Sequence, residues 1–336
     1  MNENNGKFNW KKIFFVFEEL GKVGEGEGFG DFNFNNLLKG FLKKKTDSEI
    51  EDSLIVGTEK TTPEISDISL KYPEPWLFGR LLLGSIILFY GFVAVYQQFE
   101  GANLIPAIIL TGSFAVPISS LFFFFELNIR RNIPIWHVMR LVLMGGLLSI
   151  FITLLLSQNV SIFNGPTGAW FAALIEEPAK LITVVILVKN KKRYPYILNG
   201  LLFGASVGCG FASFESAGYA LTYGMEDIDS LIGLIQLRGI LSPFGHIAWT
   251  AIASASFWRV FKGEKIDFNL FFDKKFYIPF IMIIFMHSIW NSNSVIPFQG
   301  VYLILGITSC SLILSIVNLG IKQISLEKRG KIIFKN

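Results

Sequence analysis

The stretch Ala172-Ala173-Leu174-Ile175-Glu176-Glu177-Pro178-Ala179-Lys180 puts two adjacent carboxylates and an ammonium inside an apolar run from about Thr167 to Val188. A charge at the centre of a lipid-embedded helix costs about 2.5 kcal/mol or more, so its retention points to a purpose. Helical spacing puts Glu176 and Lys180 on one face, and Glu177 also reaches Lys180. The plainest purpose is a buried ion pair that glues helices. Three further apolar runs argue for more. One carries Gly210-Phe211-Ala212-Ser213-Phe214-Glu215, the next Arg238 and His246, and the third His287-Ser288-Ile289-Trp290-Asn291, with His287 and Asn291 one turn apart. Of the 3 histidines in the chain, two lie in these runs. The third, His137, stands beside Arg140 at the start of an earlier run and reads as interfacial.

These residue types define the chemistry. A carboxylate beside a histidine can take a proton from water and later return it to a leaving amine. An Asn amide or a Lys can stabilise a carbonyl oxyanion. No Ser or Cys in the set has a base at motif spacing, so water is the economical nucleophile. A second reading makes His246, His287 and Glu215 a two-histidine, one-carboxylate metal site with a position open for water. The residues alone leave both open. The Glu176-Glu177 pair, as a base with its supporting partner, leans toward carboxylate catalysis with no cofactor, with zinc as the alternative.

The elements that must position these groups are membrane helices. The chain has 336 residues, 51% of them hydrophobic, with 34 Phe and a mean hydropathy of +0.49. Such a composition fits a multi-span membrane protein and not a soluble domain. An all-α polytopic bundle of about eight transmembrane helices is expected over 76–321. The spans fall near Trp76–Tyr96, Leu104–Phe125, Ile135–Leu156, Thr167–Val188, Tyr196–Leu221, Leu231–Trp258, Phe276–Asn293 and Val301–Ile321. The sixth is long and interrupted at Pro243. The first three and the eighth carry no buried constellation that reads as functional. The net charge of +4 is clustered in loops and gives no reason to expect nucleic acid. Lys and Arg follow the second, fourth and sixth spans and fill the tail 322–336, while the stretches 97–103, 157–166, 222–230 and 294–300 have none. By the positive-inside rule both termini are expected in the cytoplasm; the expected location is the plasma membrane of a prokaryote.

Residues 1–75 form an expected cytoplasmic extension. Phe8–Leu20 and Phe32–Leu42 read as short amphipathic helices, resting on an anionic membrane face or docked on the bundle. Gly24-Glu25-Gly26-Glu27-Gly28-Phe29-Gly30 has no preceding strand, and its acids would repel phosphate, so it reads as a flexible linker. The acidic 46–70 reads likewise. The 2 cysteines, Cys209 and Cys310, form no disulfide or metal pattern. The first apolar run, Ile13 to Phe17, is too short for a signal peptide.

Helix rise gives a depth check. Glu176 falls about nine residues, roughly 14 Å, below the outer surface, Glu215 roughly 9 Å and His287 roughly 10 Å. His246 lies deeper on this count. Unrelated helix-gluing pairs have no reason to share a depth.

In combination, Glu176-Glu177-Pro178-Ala179-Lys180, Gly210 to Glu215, a His in the next span and His287 with Asn291 resemble the PrsW family of intramembrane proteases, itself similar to the CAAX prenyl endopeptidases. The resemblance covers about 165–295. It implies that Glu176 is the water-activating base, Glu177 its supporting acid, and Glu215 the occupant of the second motif, where the CAAX enzymes have a histidine. It likewise implies that His246 is the third-motif histidine and that His287 with Asn291 forms the closing motif. The implied activity is hydrolysis of a peptide bond in a membrane-anchored, single-pass protein, as in the cleavage of anti-sigma factors. A CAAX-type processing enzyme is a weaker fit because of Glu215. A proton-coupled transporter would also use buried Glu, Lys and His, but no inverted repeat with broken helices is visible. A non-catalytic scaffold would have no need of the intact motif set. Oligomeric state is not encoded in any motif.

Overall fold

The computed structural model describes residues 10–158, 168–189, 191–224, 227–292, 300–332 and 334, and among them every regular element is helical. Three short helices precede the membrane region: α1 (Trp10–Gly21), α2 (Phe34–Leu42) and α3 (Asp47–Leu54). The bundle follows as α4 (Leu77–Phe99), α5 (Ile105–Leu127), α6 (Ile135–Arg140), α7 (Gly146–Gln158), α8 (Gly168–Leu187), α9 (Ile197–Gly224), α10 (Ile228–Leu241), α11 (His246–Phe261), α12 (Lys274–Asn291) and α13 (Gly300–Lys328). A π-helical turn, Leu141–Gly145, joins α6 to α7 into one span.

Among the described residues, six helical segments are long and apolar enough to cross a membrane, with α6–α7 and α10–α11 each counting as one. The remaining two long helices are α8, with Glu176, Glu177 and Lys180, and α12, with Lys274, Lys275 and His287. The polar groups that lower the hydropathy of α8 and α12 include those of the site, so the expected total of about eight stands. The expected outer ends Thr167 and Asn293, and most of the basic-free stretches 157–166 and 294–300, lie outside the described residues.

Helix α9 is the axis of the bundle and packs most extensively on α11. Gly200, Gly204 and Gly208 recur at every fourth residue along the contact. A Cβ on each would meet Trp258 Cβ at 2.5 Å, the Thr250 carbonyl at 2.2 Å and the His246 carbonyl at 2.5 Å. Lipid offers no hydrophobic drive for helix association, so close backbone approach across small residues supplies the packing. A Cβ on Gly210 would likewise meet Val142 O in the π-helical turn.

The N-terminal segment folds onto one end of this bundle, where the basic loops converge. Arg131 donates to Ser53 O, Arg193 to Gly57 O and Arg130 to Pro63 O. Gly24–Gly30 is not the free linker expected from its composition. Arg259 donates to the carbonyls of Gly24 and Glu25, Asn318 donates to Gly28 O, and Glu27 N donates to Ser315 Oγ. Lys274 hydrogen-bonds the Glu25 carboxyl and holds it below the usual range. Gly26 is required there, since a Cβ would meet Gly21 O at 2.1 Å. The 46–70 stretch also corrects a linker reading. Thr46 and Glu49 form a capping box on α3, and Val56 and Ile68 are buried in the main core. The Glu126 carboxylate accepts from the backbone N–H groups of Trp76, Leu77 and Phe78, which caps α4 from a remote helix.

Candidate active site

Four elements deliver the polar side chains. Helix α8 presents Glu176, Glu177 and Lys180 on successive turns around Pro178, and α9 contributes Glu215 seven residues after Gly208. Helix α12 brings His287 and Asn291 near its C-terminal end. The fourth element depends on a break. The sixth span stops at Leu241, turns through Ser242–Phe244 and restarts, so His246 is the first residue of α11. Although the rise-based count put His246 deeper, it lies beside the other groups, in contact with Lys180 and Glu215.

Lys180 is the hub. Its Nζ is 2.9 Å from Glu177 Oε1, 3.2 Å from Glu176 Oε2 and 2.9 Å from His246 Nδ1. The ammonium also lies 3.9 Å over the Phe211 ring, and the side chain is fully buried. His287 Nδ1 is 2.9 Å from Glu177 Oε1, and its Nε2 is 3.8 Å from Glu176 Oε2. On the other side, His246 Nε2 is 3.0 Å from Glu215 Oε2. Glu215 Oε2 also accepts from Arg238 at 2.5 Å, and Arg238 Nε donates to Ser216 Oγ at 3.0 Å. Cations and carboxylates therefore alternate along one chain, with imidazoles joining them: Arg238, Glu215, His246, Lys180, Glu177, His287.

The network assigns the histidine tautomers. An ammonium only donates, so His246 Nδ1 accepts from Lys180 and its Nε2–H donates to Glu215. A carboxylate only accepts, so His287 Nδ1–H donates to Glu177, and its Nε2 faces Glu176.

A cavity of about 340 Å³ opens beside this chain. Glu176, Glu215, Arg238, His246 and Asn291 line it, whereas Glu177, Lys180 and His287 stand behind it. All seven residues singled out from the sequence therefore belong to one site, either on its wall or directly behind it. The metal set expected from the sequence does not converge as drawn. Among the described residues, the ligand atoms that come within 4.8 Å of one another belong to Glu176, Glu177, His246 and His287. Glu215 is not among them; Arg238 and His246 hold its carboxylate on the far side of the imidazole.

Sequence reasoning missed the aromatic frame. The Trp249 ring lies 4.7 Å from His287 at 30°, and edge-on to His246 at 5.5 Å and to Trp290 at 5.3 Å. Tyr302 and Tyr219 complete the walls, the latter under Arg238 at 4.5 Å. A signal was present: His246-Ile247-Ala248-Trp249 and His287-Ser288-Ile289-Trp290 share the spacing His-x-x-Trp, which places each indole on its histidine's face of the helix.

Residues 133–317 match the family described as PrsW family intramembrane metalloprotease. Protease PrsW of Oceanobacillus iheyensis is 24% identical over 179 residues, 52% of this chain and 78% of the relative. Protease PrsW of Geobacillus kaustophilus is 27% identical over 163 residues, 47% of this chain and 67% of the relative. No solved structure matches the chain. The family match spans more than half of the sequence and encloses all four elements that build the alternating network: the chain belongs to the PrsW family of intramembrane proteases.

Proposed function

We propose that the chain is an endopeptidase that cuts a membrane-anchored, single-pass protein with a water activated by Glu176. One observation carries the assignment of roles: of two adjacent carboxylates, Glu176 lines the cavity, while Glu177 is buried behind it against Lys180 and His287. A water between Glu176 Oε2 and His287 Nε2 donates one hydrogen to each acceptor, which leaves an oxygen lone pair for the scissile carbonyl. Glu176 takes the proton as the C–O bond forms and returns it to the amine as the C–N bond breaks. Asn291, on the cavity wall, supplies an amide donor for the oxyanion. Lys180 pairs with both Glu176 and Glu177, and Glu177 fixes the imidazole of His287. Glu215 holds His246 in the tautomer that accepts from Lys180.

The family's description names a metal, and the donor types of Glu176, Glu177, His246 and His287 suit zinc. Glu177 Oε2 is buried without a hydrogen-bond partner, so one donor atom is spare. Glu176 Oε2, Glu177 Oε1 and His246 Nδ1 are engaged by Lys180. Lys180 Nζ stands within hydrogen-bond distance of three of the four residues, so a divalent ion there would share its donors with a buried ammonium. The arrangement fits a lysine cation better than a metal, and no step is assigned to one.

The reading places both termini in the cytoplasm, from the loop charges. Glu176 is eight residues from the outer end of α8, roughly 12 Å, and Glu215 nine residues from that of α9, roughly 14 Å. Unwinding a substrate helix in lipid strands its polar groups, so the cut falls in the outer part of the substrate's span, where water and the cavity take over those bonds. The test is co-expression with tagged single-pass proteins and mass spectrometry of both fragments. A cut in the outer half, absent in Glu176→Gln, supports the reading; a cut in the cytoplasmic half contradicts it.

A further inference from the structure

Helix α13 carries no charged group into the site, yet one of its side chains is bonded both to α11 and to the turn from which α11 starts. Ser309 is fully buried, as is Trp249. Its hydroxyl accepts from Trp249 Nε1 at 3.2 Å and donates to the carbonyl of Phe244 at 2.9 Å. Phe244 O belongs to the break between α10 and α11, two residues before His246, and precedes the N-cap of α11 at Gly245. One turn earlier on α13, Gly306 faces Phe244, where an added Cβ would make ordinary contact with the ring at 3.4 Å. The indole held by Ser309 is the one packed at a tilt against His287 and edge-on to His246.

We infer that Ser309 is a positioning residue for both histidines. Through Phe244 O it fixes where α11 starts and hence where the His246 imidazole points. Through Trp249 Nε1 it fixes the ring against which His287 lies. Ser309 itself does not line the cavity. Its loss therefore misaligns the reacting groups without removing a substrate contact. Misplacements of about 1 Å from remote changes lower rates by up to roughly 100-fold. The inference rests on the site reading above, and the test separates the two.

The experiment compares wild type, Ser309→Ala, Trp249→Phe, the double variant and Glu176→Gln, each purified in detergent. The probe is a tagged single-pass protein that the wild type cleaves. Trp249→Phe keeps an aromatic ring but removes the N–H. The expected result is a kcat lowered roughly 10- to 100-fold in Ser309→Ala with KM unchanged. Trp249→Phe falls as well, and the double variant falls by less than the product of the two single losses, because both remove the same bond. Ser309→Thr, which keeps the hydroxyl, regains rate over Ser309→Ala. Wild-type kcat in Ser309→Ala, or strictly multiplicative losses, overturns the inference while an inactive Glu176→Gln leaves the site reading standing. An active Glu176→Gln overturns both. If Ser309→Ala does not fold, Trp249→Phe and Ser309→Thr decide the matter: wild-type kcat in Trp249→Phe refutes the role of the bond.

Discussion

Glu176 and Glu177 share a peptide bond and face different surroundings. Glu176 looks into the cavity, and its Oε2 stands 3.8 Å from His287 Nε2. Glu177 is withdrawn to 1% exposure and bonded at 2.9 Å to both Lys180 Nζ and His287 Nδ1. Helical geometry rotates consecutive side chains by about 100°, and Lys180 on the following turn reaches both. In the proposed mechanism, one charge thus serves the reaction, and the other anchors the parts.

This division makes the two Gln variants behave differently. Glu177→Gln leaves a buried ammonium short of a partner, and removing one member of such a pair costs about 3–5 kcal/mol. Thermal unfolding in detergent should show a clear drop in stability for Glu177→Gln, with activity falling alongside. Glu176→Gln, whose site partly faces the cavity, should unfold close to wild type. Equal stabilities for the two variants would contradict the anchoring role.

Metal analysis addresses the cation at the centre of the site. With Lys180 on three of the four donor residues, purified protein should carry far less than one equivalent of zinc, and chelators should leave cleavage intact. Stoichiometric zinc that disappears in His287→Ala would show instead that the four residues serve a metal and that Lys180 moves aside for it.

The glycine ladder between α9 and α11 predicts a packing defect with a catalytic consequence. A Cβ at Gly204 would meet Thr250 O at 2.2 Å, and this contact is backbone, which cannot swing away. Gly204→Val should destabilise the protein by about 1–3 kcal/mol or more, as overpacking does. It should also lower activity, because α11 carries His246 at its first residue. A Gly204→Val protein with wild-type stability would mean that the helices are not in contact there.

Much of this was legible from charge alone. Buried ionisable residues are costly in lipid, so Glu176, Lys180, Glu215, His246 and His287 stood out against an apolar background, and all of them meet in one network. The long-range pairings were not legible, since Arg238 and Glu215 lie 23 residues apart on different helices. Nor was the role of Ser309, because a neutral hydroxyl in an apolar helix gives no sign of which carbonyl it serves. The Gly24–Gly30 stretch misled for the opposite reason. Its glycines look flexible in isolation, but Gly26 is there because Gly21 O and Ser315 Oγ leave no room for a side chain.

The most direct measurement is turnover of a single-pass substrate by Glu176→Gln, at matched protein level and with unfolding measured in parallel. Gln keeps the shape of the side chain but does not take up a proton at neutral pH. With the general base removed, the rate should fall by about 100-fold or more while the melting temperature stays near that of the wild type. Near-wild-type turnover by a folded Glu176→Gln enzyme would contradict the assignment of Glu176 as the base that activates water.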